Sequence, residues 1–82
     1  MLEIKFEKEK NRAIALDGKQ MIGECNFIRL EDKWNIVHTG VEQEYQGQGI
    51  ARKLVDCVLE NAKIYHKTVI ADYSYAKRIL EK

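Results

Sequence analysis

The hydrophobic pattern of this chain changes at a polar, glycine-bearing segment, residues 42–48. Before the segment, apolar and polar side chains alternate with a period of two, which predicts β-strands. After it, apolar residues recur at helical spacing, which predicts an amphipathic helix. The residues at this spacing are Ile50, Ala51, Leu54, Val55, Val58, Ala62 and Tyr65. A chain with this pattern is expected to pack a helix against a sheet.

The part before the segment predicts a meander of antiparallel strands. Alternating runs cover residues 2–7, 11–16, 21–30 and 34–41. The first run alternates apolar and charged residues, which is the pattern of a half-buried edge strand. Asp17-Gly18 is a two-residue hairpin signal with positive φ, and a polar turn at residues 31–33 separates the last two runs. The runs are therefore expected to pair in the order in which they occur.

The part after the helix predicts one more strand and a second helix. Residues 68–71 form a β-branched, apolar run of the type expected for a strand buried beside others, reached by a right-handed crossover. From Ser74, a candidate N-cap, apolar residues return to helical spacing. The order β-β-β-β-α-β-α describes an α+β fold with helices packed against a mixed, mainly antiparallel sheet. With 82 residues, the chain is expected to form a single domain, residues 1–82.

Charge and composition argue against several classes of function. The net charge is +1 with acidic and basic residues interspersed, so no basic face predicts binding to nucleic acid. The start of the chain does not resemble a signal peptide or a spanning helix, so a cytoplasmic protein without a membrane partner is expected. The two cysteines, Cys25 and Cys57, belong to no Cys-x-x-Cys or Cys/His cluster, which argues against a disulfide or a metal site. Both are expected in the core.

The sequence Gln-Gly-Gln-Gly-Ile-Ala at residues 46–51 is a candidate phosphate cradle. Gly47 and Gly49 lack Cβ atoms, so the backbone there can turn tightly and bring its N–H groups close to a ligand. A helix that begins at this point adds unpaired N–H donors and the positive end of its dipole. Together these features favour a ligand that carries a diphosphate. The alternative is a plain turn at the start of a helix.

The strand meander, the segment at 46–51 and the helix and strand that follow resemble the GCN5-related N-acetyltransferase family. The acyl-CoA signature of that family is Gln/Arg-x-x-Gly-x-Gly/Ala, and Gln46, Gly49 and Ala51 match it at the junction where the family carries it. The resemblance runs from about Met21 to the C-terminus. The small size, residues 38–41 and residues 73–77 are similar to the minimal, single-domain branch of the family.

The resemblance implies acetyl-CoA as acyl donor, without a metal. It also implies that the end of the fourth strand, near Val41, pairs its backbone with the pantetheine arm and the acyl carbonyl. A plain core valine is the alternative for this residue. The resemblance further implies that backbone N–H groups of one stretch hold the pyrophosphate: Gln46, Gly47, Gln48, Gly49, Ile50, Ala51 and Arg52.

One departure from the minimal branch concerns the mechanism. Its members commonly carry a cysteine before the Ser/Pro-Tyr pair, where this chain has Tyr73. A phenol with a pKa near ~10 is a weak nucleophile at neutral pH, so an acyl-cysteine intermediate is not expected here. Tyr73 could instead protonate the departing thiolate, or it could be a packed aromatic residue.

Direct transfer requires a group that accepts the proton of the attacking amine. Candidates are His38, Glu42 and Glu44, and the alternative for each is a structural histidine or a solvated loop charge. The leading hypothesis is a small acyl-CoA-dependent N-acyltransferase that acts by direct attack of an amine acceptor. Small amines, polyamines and protein lysines all remain open as acceptors. The other hypotheses are a non-catalytic coenzyme A-binding or sensing module and a structural or interaction domain. An exposed edge strand and a thin core predict a monomer or a weak homodimer.

Overall fold

A computed structural model of the chain describes residues 1–71. Tyr73 and the second helix predicted from Ser74 lie outside the described residues. Within them the elements follow in the predicted order: β1 (Leu2–Glu7), β2 (Arg12–Asp17), β3 (Gln20–Arg29), β4 (Lys33–Val41), α1 (Ile50–Ile64) and β5 (Thr68–Ala71), with 3-10 turns at Lys8–Lys10 and Gln43–Tyr45. Each strand begins and ends within one residue of its predicted bounds.

The strands form one mixed sheet in the order β1-β2-β3-β4-β5. The first four strands pair in antiparallel fashion, as the meander predicted. β5 pairs with β4 in parallel, with α1 as the crossover between them. The predicted α+β fold with a mixed, mainly antiparallel sheet is therefore confirmed, and β1 lies at one edge.

The β2–β3 hairpin turns one residue later than predicted. Asp17 still pairs with Gln20, so the two-residue loop is Gly18-Lys19 rather than Asp17-Gly18. Gly18 has a φ of 63°, which places the positive φ at the first central residue, the glycine position of a type II′ turn. Asp17 therefore remains part of the sheet.

β4 contains a β-bulge that changes which side chains face α1. Asn26 pairs with His38, whereas the next residue of β3 pairs with Ile36, so Val37 is an extra residue. A simple alternation would place His38 on the same face as buried Ile36. After the bulge, Thr39 is the buried residue, and His38 is exposed on the face away from α1.

The core lies between α1 and one face of the sheet. On the helix side its buried residues are Ile50, Leu54, Val55, Val58 and Ala62. On the sheet side, Phe27 and Trp34 stack with ring centroids 4.4 Å apart, and both are buried. Cys25 is also buried, and Cys57 is half-buried beside the core. Each large apolar side chain that is fully buried contributes about 1.5–3 kcal/mol to the free energy of unfolding.

Two elements are less buried than the sequence predicted. Tyr65 follows the last residue of α1 and is 39% exposed, so it does not belong to the buried face of the helix. In β5, Val69 and Ala71 pack against the core, whereas Thr68 and Ile70 are exposed. The predicted strand is therefore present beside β4, and in the described part of the chain its burial is confined to one face.

Candidate functional site

The loop between β4 and α1 presents backbone donors at the start of the helix. Gly47 and Gly49 have φ values of 84° and 77°, and Gly49 is the N-cap of α1. The N–H of Lys53 donates to the Gly49 carbonyl at 3.1 Å, so the three preceding N–H groups come before the helical hydrogen-bond ladder. No side chain caps this end of α1. The donors and the positive end of the dipole therefore face the same space.

A cleft of about 350 Å³ connects this loop to the end of β4. It is lined by Val41, Tyr45, Gln46, Gly47, Gly49, Ile50 and Ala51. A Cβ atom at either glycine would meet no atom within 4 Å, so glycine is required there by the backbone conformation rather than by crowding. The space beside the two glycines can accept a phosphate group. The residues present therefore fit a ligand that carries a diphosphate.

The structure brings most of the predicted coenzyme residues to this cleft. Gln46 also donates its side-chain Nε2 to the Val41 carbonyl at 3.2 Å, which links the loop to the strand end. Gln48 is exposed within the same loop. The Arg52 side chain lies along the helix surface, with its Nε 3.5 Å from Oδ1 of Asp56. Arg52 does not line the cleft, and its backbone N–H is the last of the three that precede the helical hydrogen-bond ladder.

A second cleft of about 290 Å³ lies on the other side of Val41, toward β3. Glu24, Gly40 and Glu42 contribute to its lining. The Glu42 N–H donates to the Ile22 carbonyl at 2.8 Å, which holds the backbone of Glu42 against β3. The two clefts share Val41 in their lining.

The candidate catalytic residues are placed differently from one another. Glu42 lines the second cleft and is exposed. His38 lies on the sheet face away from α1, where its Nε2 is 3.0 Å from the position a Cβ at Gly40 would take. Glu44 is exposed on the 3-10 turn, and Tyr73 lies outside the described residues. Glu42 is thus the candidate that lines a cleft at Val41.

A contact between Tyr45 and Asp17 has no counterpart among the features predicted from the sequence. The Tyr45 hydroxyl donates to Oδ2 of Asp17 at 2.5 Å, and the amino group of Met1 donates to Oδ1 at 2.9 Å. The bond from Tyr45, followed by the pair with Met1, lowers the pKa of Asp17, and the same bond raises the pKa of Tyr45. The two residues are 28 positions apart, and no local pattern relates them.

The described part of the chain contains no cluster of metal-ligating side chains and no helix that could span a membrane. Residues 1–71 contain no group of three or more His, Cys, Asp or Glu side chains that could hold a metal ion. Among the same residues, no helix is long and apolar enough to cross a membrane.

The sequence model of the GCN5-related N-acetyl-transferase family matches residues 11–82. The chain belongs to this family. The match begins before Met21, so it covers more of the chain than the motifs suggested. Members of the family use acetyl-CoA. No protein with a curated function matches the chain in sequence.

Several solved structures share the fold of this chain. A GCN5-like protein of Staphylococcus aureus, solved by NMR, is 35% identical with a TM-score of 0.75, over 98% of this chain and 78% of that protein. A chain of the NatC complex, crystallised with a Gag peptide and CoA, is 26% identical with a TM-score of 0.64, over 85% of this chain and 54% of that one. The ribosomal-protein-alanine N-acetyltransferase of Brucella melitensis is 18% identical with a TM-score of 0.68, over 85% of this chain and 59% of that protein. This similarity shows a shared fold.

Proposed function

We propose that this chain binds acetyl-CoA at the junction of β4 and α1 and transfers the acetyl group to an amine. The observation that carries the proposal is the cleft that runs from the uncapped start of α1, past Gly47 and Gly49, to the backbone of Val41. Backbone donors at one end and a strand end at the other match a ligand with a diphosphate and an extended amide-containing arm.

In this proposal the diphosphate is bound by backbone rather than by side-chain charge. The N–H groups of Ile50, Ala51 and Arg52 point out of the helix start, and the dipole adds positive potential there. The positive φ values at Gly47 and Gly49 bring the preceding backbone to the same space. The Arg52 side chain is engaged with Asp56 and is not required for binding.

The acceptor amine approaches Val41 from the second cleft. Glu42 lines this cleft and is the candidate that accepts the proton of the amine, directly or through water. The amine nitrogen forms a bond to the acyl carbon, and the carbon–sulfur bond breaks. The leaving thiolate takes a proton from Tyr73 or from water, which balances the proton given to Glu42.

A non-catalytic module that binds coenzyme A is the second candidate. It is favoured by the exposure of Glu42 and by the fact that His38 contributes to the lining of neither cleft. Both proposals require the same coenzyme cleft. They differ in whether an acetyl group moves.

Calorimetric titration with acetyl-CoA tests the shared requirement. We expect the wild-type chain to bind and Gly49→Ala to lose about five- to thirtyfold in affinity, because alanine disfavours the left-handed conformation by roughly 1–2 kcal/mol. Gly18→Ala is the matched control, since Gly18 also has a positive φ and open space around it but lines neither cleft. Equal losses in both variants, or no binding by the wild type, would contradict the proposal.

An assay of acetyl transfer distinguishes the enzyme hypothesis from the hypothesis of a non-catalytic binding module. With labelled acetyl-CoA and a lysine peptide or a polyamine as acceptor, we expect the wild type to turn over and Glu42→Gln to lose about 100-fold in rate. Glu31→Gln, on the exposed turn between β3 and β4, is the control and should retain the wild-type rate. Tight binding without transfer to any amine would favour the module.

A further inference from the structure

We propose that Tyr45 is a positioning residue for the coenzyme cradle and that Asp17 is its anchor. This inference rests on the proposed coenzyme site. Tyr45 lines the coenzyme cleft and immediately precedes the residues that form the cradle. Its hydroxyl donates to Asp17 of the β2–β3 hairpin. We call the Tyr45–Asp17 hydrogen bond the brace.

The backbone that leads into the cradle is held by short-range bonds. The Tyr45 N–H donates to the Glu42 carbonyl at 2.9 Å, and the Gln46 N–H donates to the Gln43 carbonyl at 3.2 Å. These bonds shape the 3-10 turn, and the bond from the Glu42 N–H to the Ile22 carbonyl ties the start of the turn to β3. The brace ties the end of the turn to the sheet, because it joins Tyr45 to a strand residue 28 positions away.

Asp17 is well placed to act as an anchor. It is the last residue of β2, and it pairs with Leu2 on one side and with Gln20 on the other. Its backbone is therefore held on both sides in the sheet. Its second oxygen accepts a bond from the amino group of Met1, an exposed pair that contributes little. A carboxylate accepting from a phenol forms a charge-assisted bond, which is stronger than a neutral one.

A second bond on the other side of the loop completes the positioning. The Gln46 side chain donates to the Val41 carbonyl, so consecutive residues tie the loop to two different strands. Tyr45 reaches β2, and Gln46 reaches β4. The left-handed turn at Gly47 then starts from a fixed point, and the donors at the start of α1 keep their spacing to Val41. Loss of the brace is expected to let the turn move and to weaken coenzyme binding.

The test compares Tyr45→Phe with Tyr65→Phe by titration with acetyl-CoA and by amide hydrogen exchange. Tyr45→Phe removes the hydroxyl and keeps the ring, and Tyr65 lies past the far end of α1. We expect Tyr45→Phe to weaken acetyl-CoA binding about fivefold, the size of one hydrogen bond, and to speed exchange at the Tyr45 and Gln46 amides. Tyr65→Phe should change neither.

Asp17→Ala, alone and combined with Tyr45→Phe, distinguishes a brace from two separate effects. The double variant should bind acetyl-CoA no more weakly than Asp17→Ala alone, because each change breaks the same bond. Wild-type affinity in Tyr45→Phe, or losses that add in the double variant, would overturn the brace while leaving the coenzyme site in place. Failure of the wild type to bind acetyl-CoA would overturn the proposed function and the brace together.

Discussion

At the scale of single residues, the hydrogen bond between Tyr45 and Asp17 favours the protonated phenol of Tyr45 and the ionised carboxylate of Asp17. Asp17 has a pKa below its ordinary value of 3.8, so its contribution to stability is present above that value and is lost as the pH falls through the lowered pKa. Tyr45 has a pKa above its ordinary value of 10.0, so its contribution is present below that value and is lost as the pH rises through the raised pKa. At neutral pH the donor is protonated and the acceptor is ionised.

Ultraviolet titration of the tyrosines measures this pair directly. The difference in tyrosinate absorbance between the wild type and Tyr45→Phe should show one ionisation with a midpoint above pH 10, because the bond to Asp17 holds the proton. Asp17→Asn should move that midpoint down, since the amide carries no charge to disfavour the phenolate. A midpoint at or below 10 in the wild type would show that the bond does not persist in solution.

At the scale of elements, the sequence predicted what depends on local periodicity and missed what depends on register. The strand runs and the helix from Ile50 follow from spacing of two and of three to four residues, and all were found. The bulge at Val37 is set by pairing between strands, so the position of His38 on the face away from α1 was not visible. The later hairpin turn at Gly18-Lys19 has the same cause, because pairing carries β2 one residue further.

The residues of the candidate site also differ in whether a local sequence pattern marks them. The glycines of the cradle could be found from sequence, because positive φ and a helix start leave a local signature. Tyr45 could not, because its proposed role depends on a hydrogen-bond partner in a distant strand. Asp17 was predicted as a turn residue, and that prediction did not indicate its hydrogen bond to Tyr45.

At the scale of the whole molecule, several chain segments meet at one end of the sheet, where strands end or begin. The end of β2, the start of β3, the end of β4 and the start of α1 lie together there, which places the brace and both clefts around Val41. A larger cleft, of about 500 Å³, lies between α1 and β5 and includes Asp56, Lys63 and Val69 in its lining. Size alone would favour that cleft as the coenzyme site. The backbone N–H donors at the start of α1 favour the β4–α1 junction as the coenzyme site instead.

Backbone amide NMR during a titration with acetyl-CoA tests the central claim, that the coenzyme binds at the β4–α1 junction. We expect the largest shift changes at Val41, Gly47, Gly49 and Ile50, with small changes at the amides of β1. Changes concentrated at Asp56, Lys63 and Val69, with the amides of residues 47–52 unmoved, would contradict the account and place the ligand between α1 and β5.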